Sequence, residues 1–280
     1  MKKRFVLLVS SLFLVVALFT GCGSDSGKEA VAPGNTNVDT SLPEEIQAIQ
    51  QRGTINVGVK IDVPKFGYED PISGKTEGFE IDIAKSIAKK ILGDSYADEK
   101  VKFTGVTAKT RGPLLDNGDV DFLVSTFTIT EERKLSYNFT RPYFVDGVGL
   151  LVKKASGINS LADLDGKNIG VAQSATSKAA IQEQADKLGI KVNFLEYASY
   201  PEIKTALDSG RVDCFSVDGS ILFGYLDDST VILEDRFSPQ EYGIATKLTN
   251  KGLAQYLDET VQSMQDSGEL KTLMEKWGLE

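Results

Sequence analysis

Residues 115–121 read Leu115-Asp116-Asn117-Gly118-Asp119-Val120-Asp121 and lead into Phe122-Leu123-Val124-Ser125-Thr126. Residues 207–213 read Leu207-Asp208-Ser209-Gly210-Arg211-Val212-Asp213 and lead into Cys214-Phe215-Ser216-Val217-Asp218. Each copy is a helix end stopped by glycine, followed by an apolar strand. A weaker echo sets Ile55-Asn56-Val57-Gly58-Val59 against Asn168-Ile169-Gly170-Val171, in the same order along the chain. Common helix-stop chemistry in two unrelated α/β units would account for the first echo. The shared order of both favours two related lobes.

Working outward, residues 53–59 predict a short buried strand. Residues 82–92 predict a helix with Ala84, Ile87, Ala88, Ile91 and Leu92 on one face and Gly93 as its stop. A strand at 101–103, a short helix at 113–118 and a strand at 120–124 follow. Strands alternating with helices predict an α/β lobe with a parallel sheet. Ligands of open α/β sheets sit beyond the carboxyl ends of the strands, which places Lys60, Thr126, residues 173–177 and Asp218 around one cleft if two lobes face each other. A helix opening after Thr176 and Ser177 would offer free N–H groups and a positive dipole end, a natural carboxylate site.

The N-terminus reads differently. Lys2, Lys3 and Arg4 precede an apolar run over residues 5–19, interrupted only by Ser10 and Ser11, and then Thr20, Gly21 and Cys22. This predicts a secretory signal over residues 1–21. The run is short for a membrane span, which needs about 20 apolar residues. Phe19-Thr20-Gly21-Cys22 resembles a bacterial lipobox, so lipidation is expected at Cys22, with a flexible tether over 22–41. A plain signal peptide with a chance cysteine is the alternative.

Composition narrows the function. The chain has 31 basic and 40 acidic residues, and loss of Lys2, Lys3 and Arg4 leaves 28 against 40. An acidic domain is poorly suited to gripping nucleic acid. After Cys22 only Cys214 remains, so no intrachain disulfide is possible, and the chain contains no histidine. Metal sites built on His or several Cys, and a Ser-His-Asp mechanism, are thereby excluded. No metal and no cofactor are expected.

Four segments carry a resemblance. They are Gly78-Phe79-Glu80-Ile81-Asp82-Ile83-Ala84, the run from Thr126 through Thr130-Glu131-Glu132-Arg133-Lys134 into Asn138-Phe139-Thr140-Arg141-Pro142-Tyr143, Ser160-Leu161-Ala162-Asp163-Leu164-Asp165-Gly166-Lys167, and the ending Gly268-Glu269-Leu270 with Lys276-Trp277-Gly278. From about residue 53 to 279 the chain resembles solute-binding proteins of the polar amino-acid ABC-transporter family. Residues 108–115 and 215–218 look closest to the aspartate/glutamate and glutamine binders.

The resemblance implies a two-lobed periplasmic-binding-protein fold of type II, its ligand cleft between lobes joined by two crossing segments. Lobe one would be 42–143 plus 247–280, lobe two 148–241, with the hinge near 143–149 and 242–246. It implies an extracytoplasmic receptor, monomeric and lipid-anchored, and the long polar tether suits a Gram-positive surface better than a Gram-negative periplasm. Such a receptor delivers an amino acid to permease subunits and is not an enzyme, although a dehydratase-like enzyme on the same fold is an alternative.

It also implies that Arg133 clamps the α-carboxylate, supported by Thr128 and the N–H groups near Thr176 and Ser177, and that Asp218 accepts the α-ammonium. On residues alone, Arg133 reads instead as a surface partner of Glu131 or Glu132. Lys60 and Arg111 would offer positive charge to the ligand's far end, giving a preference for glutamate or aspartate. If Arg111 instead pairs with Asp82 or Asp116, the pocket is neutral and suits glutamine. Aromatic walls are absent at Val63 and Ala108, leaving Tyr200 as a replacement wall or as a core residue of lobe two.

Overall fold

The computed structural model describes residues 38–279. The predicted signal, Cys22 and the tether up to residue 37 lie outside the described residues. Residues 39–41, at the end of the expected tether, form a turn in which Asp39 N–H donates to Gln50 Oε1 at 2.9 Å.

The chain begins with α1 (Glu44–Arg52) and β1 (Ile55–Val59). Three short strands, β2 (Asp62–Val63), β3 (Gly67–Glu69) and β4 (Thr76–Glu77), make a small sheet of their own. Then come α2 (Phe79–Leu92), β5 (Val101–Gly105), α3 (Arg111–Asn117), β6 (Phe122–Val124), α4 (Glu131–Lys134) and β7 (Tyr137–Phe139). A second series follows: β8 (Phe144–Lys153), β9 (Asn168–Ala172), α5 (Ser177–Leu188), β10 (Asn193–Tyr197), α6 (Tyr200–Asp208), β11 (Cys214–Asp218), α7 (Gly219–Phe223), β12 (Thr230–Ile232) and β13 (Phe237–Tyr242). The chain returns through β14 (Ala245–Lys247), α8 (Lys251–Asp266) and α9 (Glu269–Trp277).

Two sheets carry a two-lobed α/β fold, in the orders β5-β1-β6-β14-β7 and β10-β9-β11-β8-β12, with β13 also paired to β8. In each, the first strand of its α/β unit is central and the next two flank it in parallel. The sequence echoes have a physical basis in this shared order. Asn56 N–H donates to Asp121 Oδ2 at 2.7 Å, and Asp121 N–H to Asn56 O at 2.8 Å. In the other sheet Asn168 N–H donates to Asp213 Oδ2 at 2.9 Å, and Asp213 N–H to Asn168 O at 2.8 Å. Each carboxylate thus stitches the start of a third strand to a central one. Gly58 and Gly170 also match. A Cβ on Gly58 would lie 2.4 Å from Leu123 Cδ2, and one on Gly170 would lie 2.6 Å from Ile203 Cγ2.

Several expectations are corrected. The sheets are not purely parallel: β14 runs antiparallel to β6 and β7, and β8 antiparallel to β11, β12 and β13. These strands arrive from distant sequence and leave no local signature. The strand expected at 53–59 starts at Ile55, because Gly53 is the left-handed stop of α1 at φ 71°. α1 itself escaped the sequence reading. The helix expected from residue 82 starts at Phe79, because Phe79 and Glu80 N–H donate to Lys65 O and Phe66 O, which satisfies its first turn from outside. The helix expected from Pro201 includes Tyr200.

The chain passes between the sheets twice, from β7 into β8 and from β13 into β14. The two passages pair antiparallel at Phe144 and Tyr242, and Tyr143 N–H donates to Tyr242 O at 2.9 Å. Phe66 packs edge-on against Phe144, Phe79 and Tyr242 there, with ring centroids 5.1–6.1 Å apart.

Candidate ligand-binding cleft

The carboxyl ends of β1, β6, β9 and β11 converge, bringing Lys60, Thr126, the 173–177 turn and Asp218 toward one region. Thr126 and Ser174 both take left-handed backbone, at φ 46° and 62°, which L side chains adopt only at a cost of about 1–3 kcal/mol. Both are held there by guanidinium groups. Arg111 Nη1 donates to Ser125 O at 2.8 Å and to Thr126 O at 3.1 Å. Arg133 Nη1 donates to Thr128 O at 2.7 Å, and its Nη2 reaches Ser174 O, beyond β9 of the other sheet, at 3.0 Å.

Phe127 is buried between the two arginines, its ring centroid 3.9 Å from Arg111 Cζ and 4.7 Å from Arg133 Cζ. An aromatic face attracts both cations and partly offsets their mutual repulsion. Burial pushes both arginine pKa values down, and for Arg133 the neighbouring Arg111 adds to the effect. Neither loses its proton, since guanidinium stays charged in proteins.

Asp218 is 5 % exposed, and its Oδ2 accepts from Tyr242 Oη at 2.5 Å. Burial pushes its pKa up to about 7, opposed by that hydrogen bond and by Arg111 and Arg133, and reinforced by Asp146. Lys60, 2 % exposed, forms an ion pair with Asp62 at 2.9 Å, and its Nζ lies 4.6 Å from the centre of the Tyr200 ring. Burial lowers the Lys60 pKa while Asp62 raises it. The ion pair is not an aligned hydrogen bond, and neither Asp62 carboxylate oxygen accepts one. Tyr200 also packs against Phe215 and Tyr225, so it is both a wall beside Lys60 and part of the core.

Thr176 Oγ1 donates to Gln240 Oε1 at 2.7 Å, and Ser177 opens α5 with its hydroxyl buried. The first N–H groups of α5 have no acceptor within their own helix. Among the described residues, the buried side-chain polar atoms without a hydrogen-bond partner are Asp62 Oδ1 and Oδ2, Glu80 Oε2, Arg111 Nε, and the hydroxyls of Ser125, Thr126 and Ser177. Folded chains leave few such atoms, and here they belong to the residues around the converging strand ends.

Two alternative readings fail on geometry. Arg133 is not a surface partner of Glu131 or Glu132; Lys134 takes Glu131 at 2.7 Å. Arg111 does not pair with Asp82 or Asp116. Asp82 accepts from Lys276 and Trp277, and Asp116 from Tyr137. Asp62, Glu80 and Phe127 also lie among the cleft groups, and none of them is a sequence-predicted site residue. The Gly78-to-Ala84 segment was a signal for Glu80, yet nothing local shows that Glu80 points inward. A cavity of about 660 Å³ lies elsewhere, beside the crossing strands, lined by Phe144, Asp146, Phe223 and Arg236 among others. None of the expected site residues lines it.

Residues 55–280 match the model of the bacterial extracellular solute-binding proteins, family 3. An ABC transporter glutamine-binding protein of Bacillus subtilis (strain 168) is 40 % identical over 280 residues, covering 99 % of this chain and 97 % of that one. A glutamine-binding protein of Geobacillus stearothermophilus is 39 % identical, covering 92 % of this chain and 97 % of that one. Among solved structures, an ancestral arginine-binding protein bound to glutamine aligns with a TM-score of 0.71 and 33 % identity. That alignment covers 82 % of this chain and 99 % of that one.

Proposed function

The chain belongs to the bacterial extracellular solute-binding proteins, family 3, and from that premise we propose that it captures glutamine for an ABC importer. The backbone of an amino acid brings a carboxylate and an ammonium, and neither can be buried unpaired. Arg133, with Thr128 and the N–H groups at Thr176 and Ser177, takes the carboxylate, since a planar fork binds two oxygens at once. Asp218 takes the ammonium. The side chain then points toward Lys60, Arg111 and Thr126, with Tyr200 as a wall.

The Lys60–Asp62 ion pair at 2.9 Å carries the choice of glutamine. Two positive groups at this end would favour an acidic side chain, but Asp62 already neutralises one of them. Asp62 Oδ2 is a buried acceptor without a donor. An amide brings two donors and one acceptor. A carboxylate brings acceptors only and would face Asp62. Mismatched polar groups of this kind discriminate strongly, because the wrong ligand leaves buried partners unpaired.

Titration calorimetry with glutamine, glutamate and aspartate tests this. Glutamine is expected to bind at least about tenfold tighter than either acid, about 1.4 kcal/mol. An acid binding tighter than glutamine overturns the ligand assignment, and no binding by any amino acid overturns the function.

The moving bodies would be 42–143 with 247–280, and 148–241, turning about 143–149 and 242–246. The lipid anchor at Cys22 belongs to the same proposal: it would hold the receptor near its permease and raise its effective concentration there. Cys22→Ala should release the protein from the membrane fraction and leave the Kd unchanged.

A further inference from the structure

Glu80 is a buried acid that the proposed ligand contacts do not use as a clamp. It sits in the first turn of α2, fully buried. Its Oε1 accepts from Thr126 N–H at 2.5 Å and from Tyr143 Oη at 2.5 Å. Thr126 is in the cleft loop, held at positive φ, and its carbonyl receives Arg111. Tyr143 opens the first passage between the sheets, and its N–H bonds Tyr242 O of the second passage at 2.9 Å. Tyr242 in turn donates to Asp218. One carboxyl oxygen on one side, and Asp218 on the other, are therefore each bound by a tyrosine of a crossing segment, and the two tyrosine rings lie 6.3 Å apart.

We propose that Glu80 is a positioning residue for the ligand cleft: by accepting from Thr126 and Tyr143 with one oxygen, it locks the 125–128 loop to the first crossing segment. This rests on the amino-acid-binding reading and adds a residue to it. A buried carboxyl is a poor choice for stability alone, since an apolar side chain of similar size usually serves a core as well or better. An acceptor shared by two donors from distant segments gives such a group a geometric purpose. Burial also pushes the Glu80 pKa up to about 7, with Lys60 and Arg111 as the cations facing it and Tyr143 as its hydroxyl donor. The acceptor role survives protonation, because Oε1 keeps its lone pairs in either state.

Three variants test the lock: Glu80→Gln, Glu80→Leu and Tyr143→Phe. Each is titrated with glutamine or glutamate, whichever the wild type binds tighter, and melted without ligand. Glu80→Gln keeps an oxygen for both donors, so its Kd should stay within about tenfold of wild type. Glu80→Leu should raise the Kd about 100-fold or more, and Tyr143→Phe about tenfold. A merely structural Glu80 would lower the ligand-free melting temperature of Glu80→Leu and leave its Kd unchanged, which overturns the proposal.

If Glu80→Leu does not fold, Tyr143→Phe decides by the same criterion. Hydrogen exchange at the Thr126 amide reads the lock without any ligand. It should accelerate at least about tenfold in Tyr143→Phe, which removes the hydroxyl that donates to Glu80 Oε1. Unchanged exchange overturns the lock even if the wild type binds no amino acid, so failure of this proposal is separable from failure of the functional reading.

Discussion

A buried carboxylate that receives an ammonium works only when ionised, and burial holds Asp218 back by pushing its pKa up to about 7. Ligand capture should therefore release a proton below that pH. The Kd for glutamine is expected to rise by up to about tenfold per unit as pH falls from 7 to 5.5, measured by calorimetry in buffers of different ionisation heat. Affinity independent of pH, with no proton released, counts against the Asp218 assignment. The ligand-free protein responds in the opposite sense. Asp218 and Glu80 both hold their protons more tightly folded than at their ordinary values of 3.8 and 4.5. Their contribution to stability is fully present below those values and is lost as pH rises through about 7. The ligand-free melting temperature should thus fall between pH 5 and 8, while the increment from ligand grows. Arg133→Ala and Asp218→Asn should each weaken binding by about 2–5 kcal/mol, the usual cost of stripping one partner from a buried charge pair. Wild-type affinity in either variant refutes its role. The strand-end placement of Lys60, Thr126 and Asp218 was readable in sequence, because each ends or follows an apolar strand. Glu80 was not, because its partners are 46 and 63 residues away, and nothing local marks which carboxylate turns inward.

At the scale of elements, the paired echoes explain why so much of the fold was legible. Asp121 and Asp213 each receive the N–H of the residue that opens or nearly opens a central strand, and each returns its own N–H to the same residue. Because the bond depends on a short side chain at a fixed place after a glycine stop, it leaves the same letters in both lobes. Asp213→Ala should destabilise the ligand-free protein by about 1–3 kcal/mol, the cost of an orphaned backbone donor, measured by urea unfolding. A change below about 0.5 kcal/mol would mean the shared letters are unrelated to strand pairing. The poorly legible elements were those completed from outside. α2 gains its first turn because carbonyls of residues 65 and 66 accept its leading N–H groups. The antiparallel β14 enters its sheet more than 100 residues after the strand beside it, so no window of sequence contains both partners.

For the whole molecule, what matters is what joins the two lobes apart from the crossing segments. Arg133 reaches Ser174 O, Lys60 lies over the Tyr200 ring, and Tyr225 donates its hydroxyl to Asp62 O. These polar or cationic contacts stand beside apolar ones, since Pro64 lies against Gly224 and one buried cluster takes in residues of both lobes, Ile46 and Phe215 among them. If the two lobes turn about the crossing segments, a ligand touching both can shift the balance between open and closed arrangements. Tyr225→Phe isolates one of the polar contacts. It removes the hydroxyl bond to Asp62 and leaves the ring packed on Phe215 and Tyr200. A net hydrogen bond is worth about 0.5–1.5 kcal/mol, so the Kd should rise by about 2- to 10-fold. The ligand-free melting temperature should stay within about 1 °C, because both lobe cores are intact and a shift of several degrees needs about 1 kcal/mol or more. Small-angle scattering should show the variant more expanded than wild type at subsaturating ligand and equally compact at saturation. A fall of several degrees in melting temperature with unchanged Kd would place Tyr225 in the fold of its own lobe and remove it from closure.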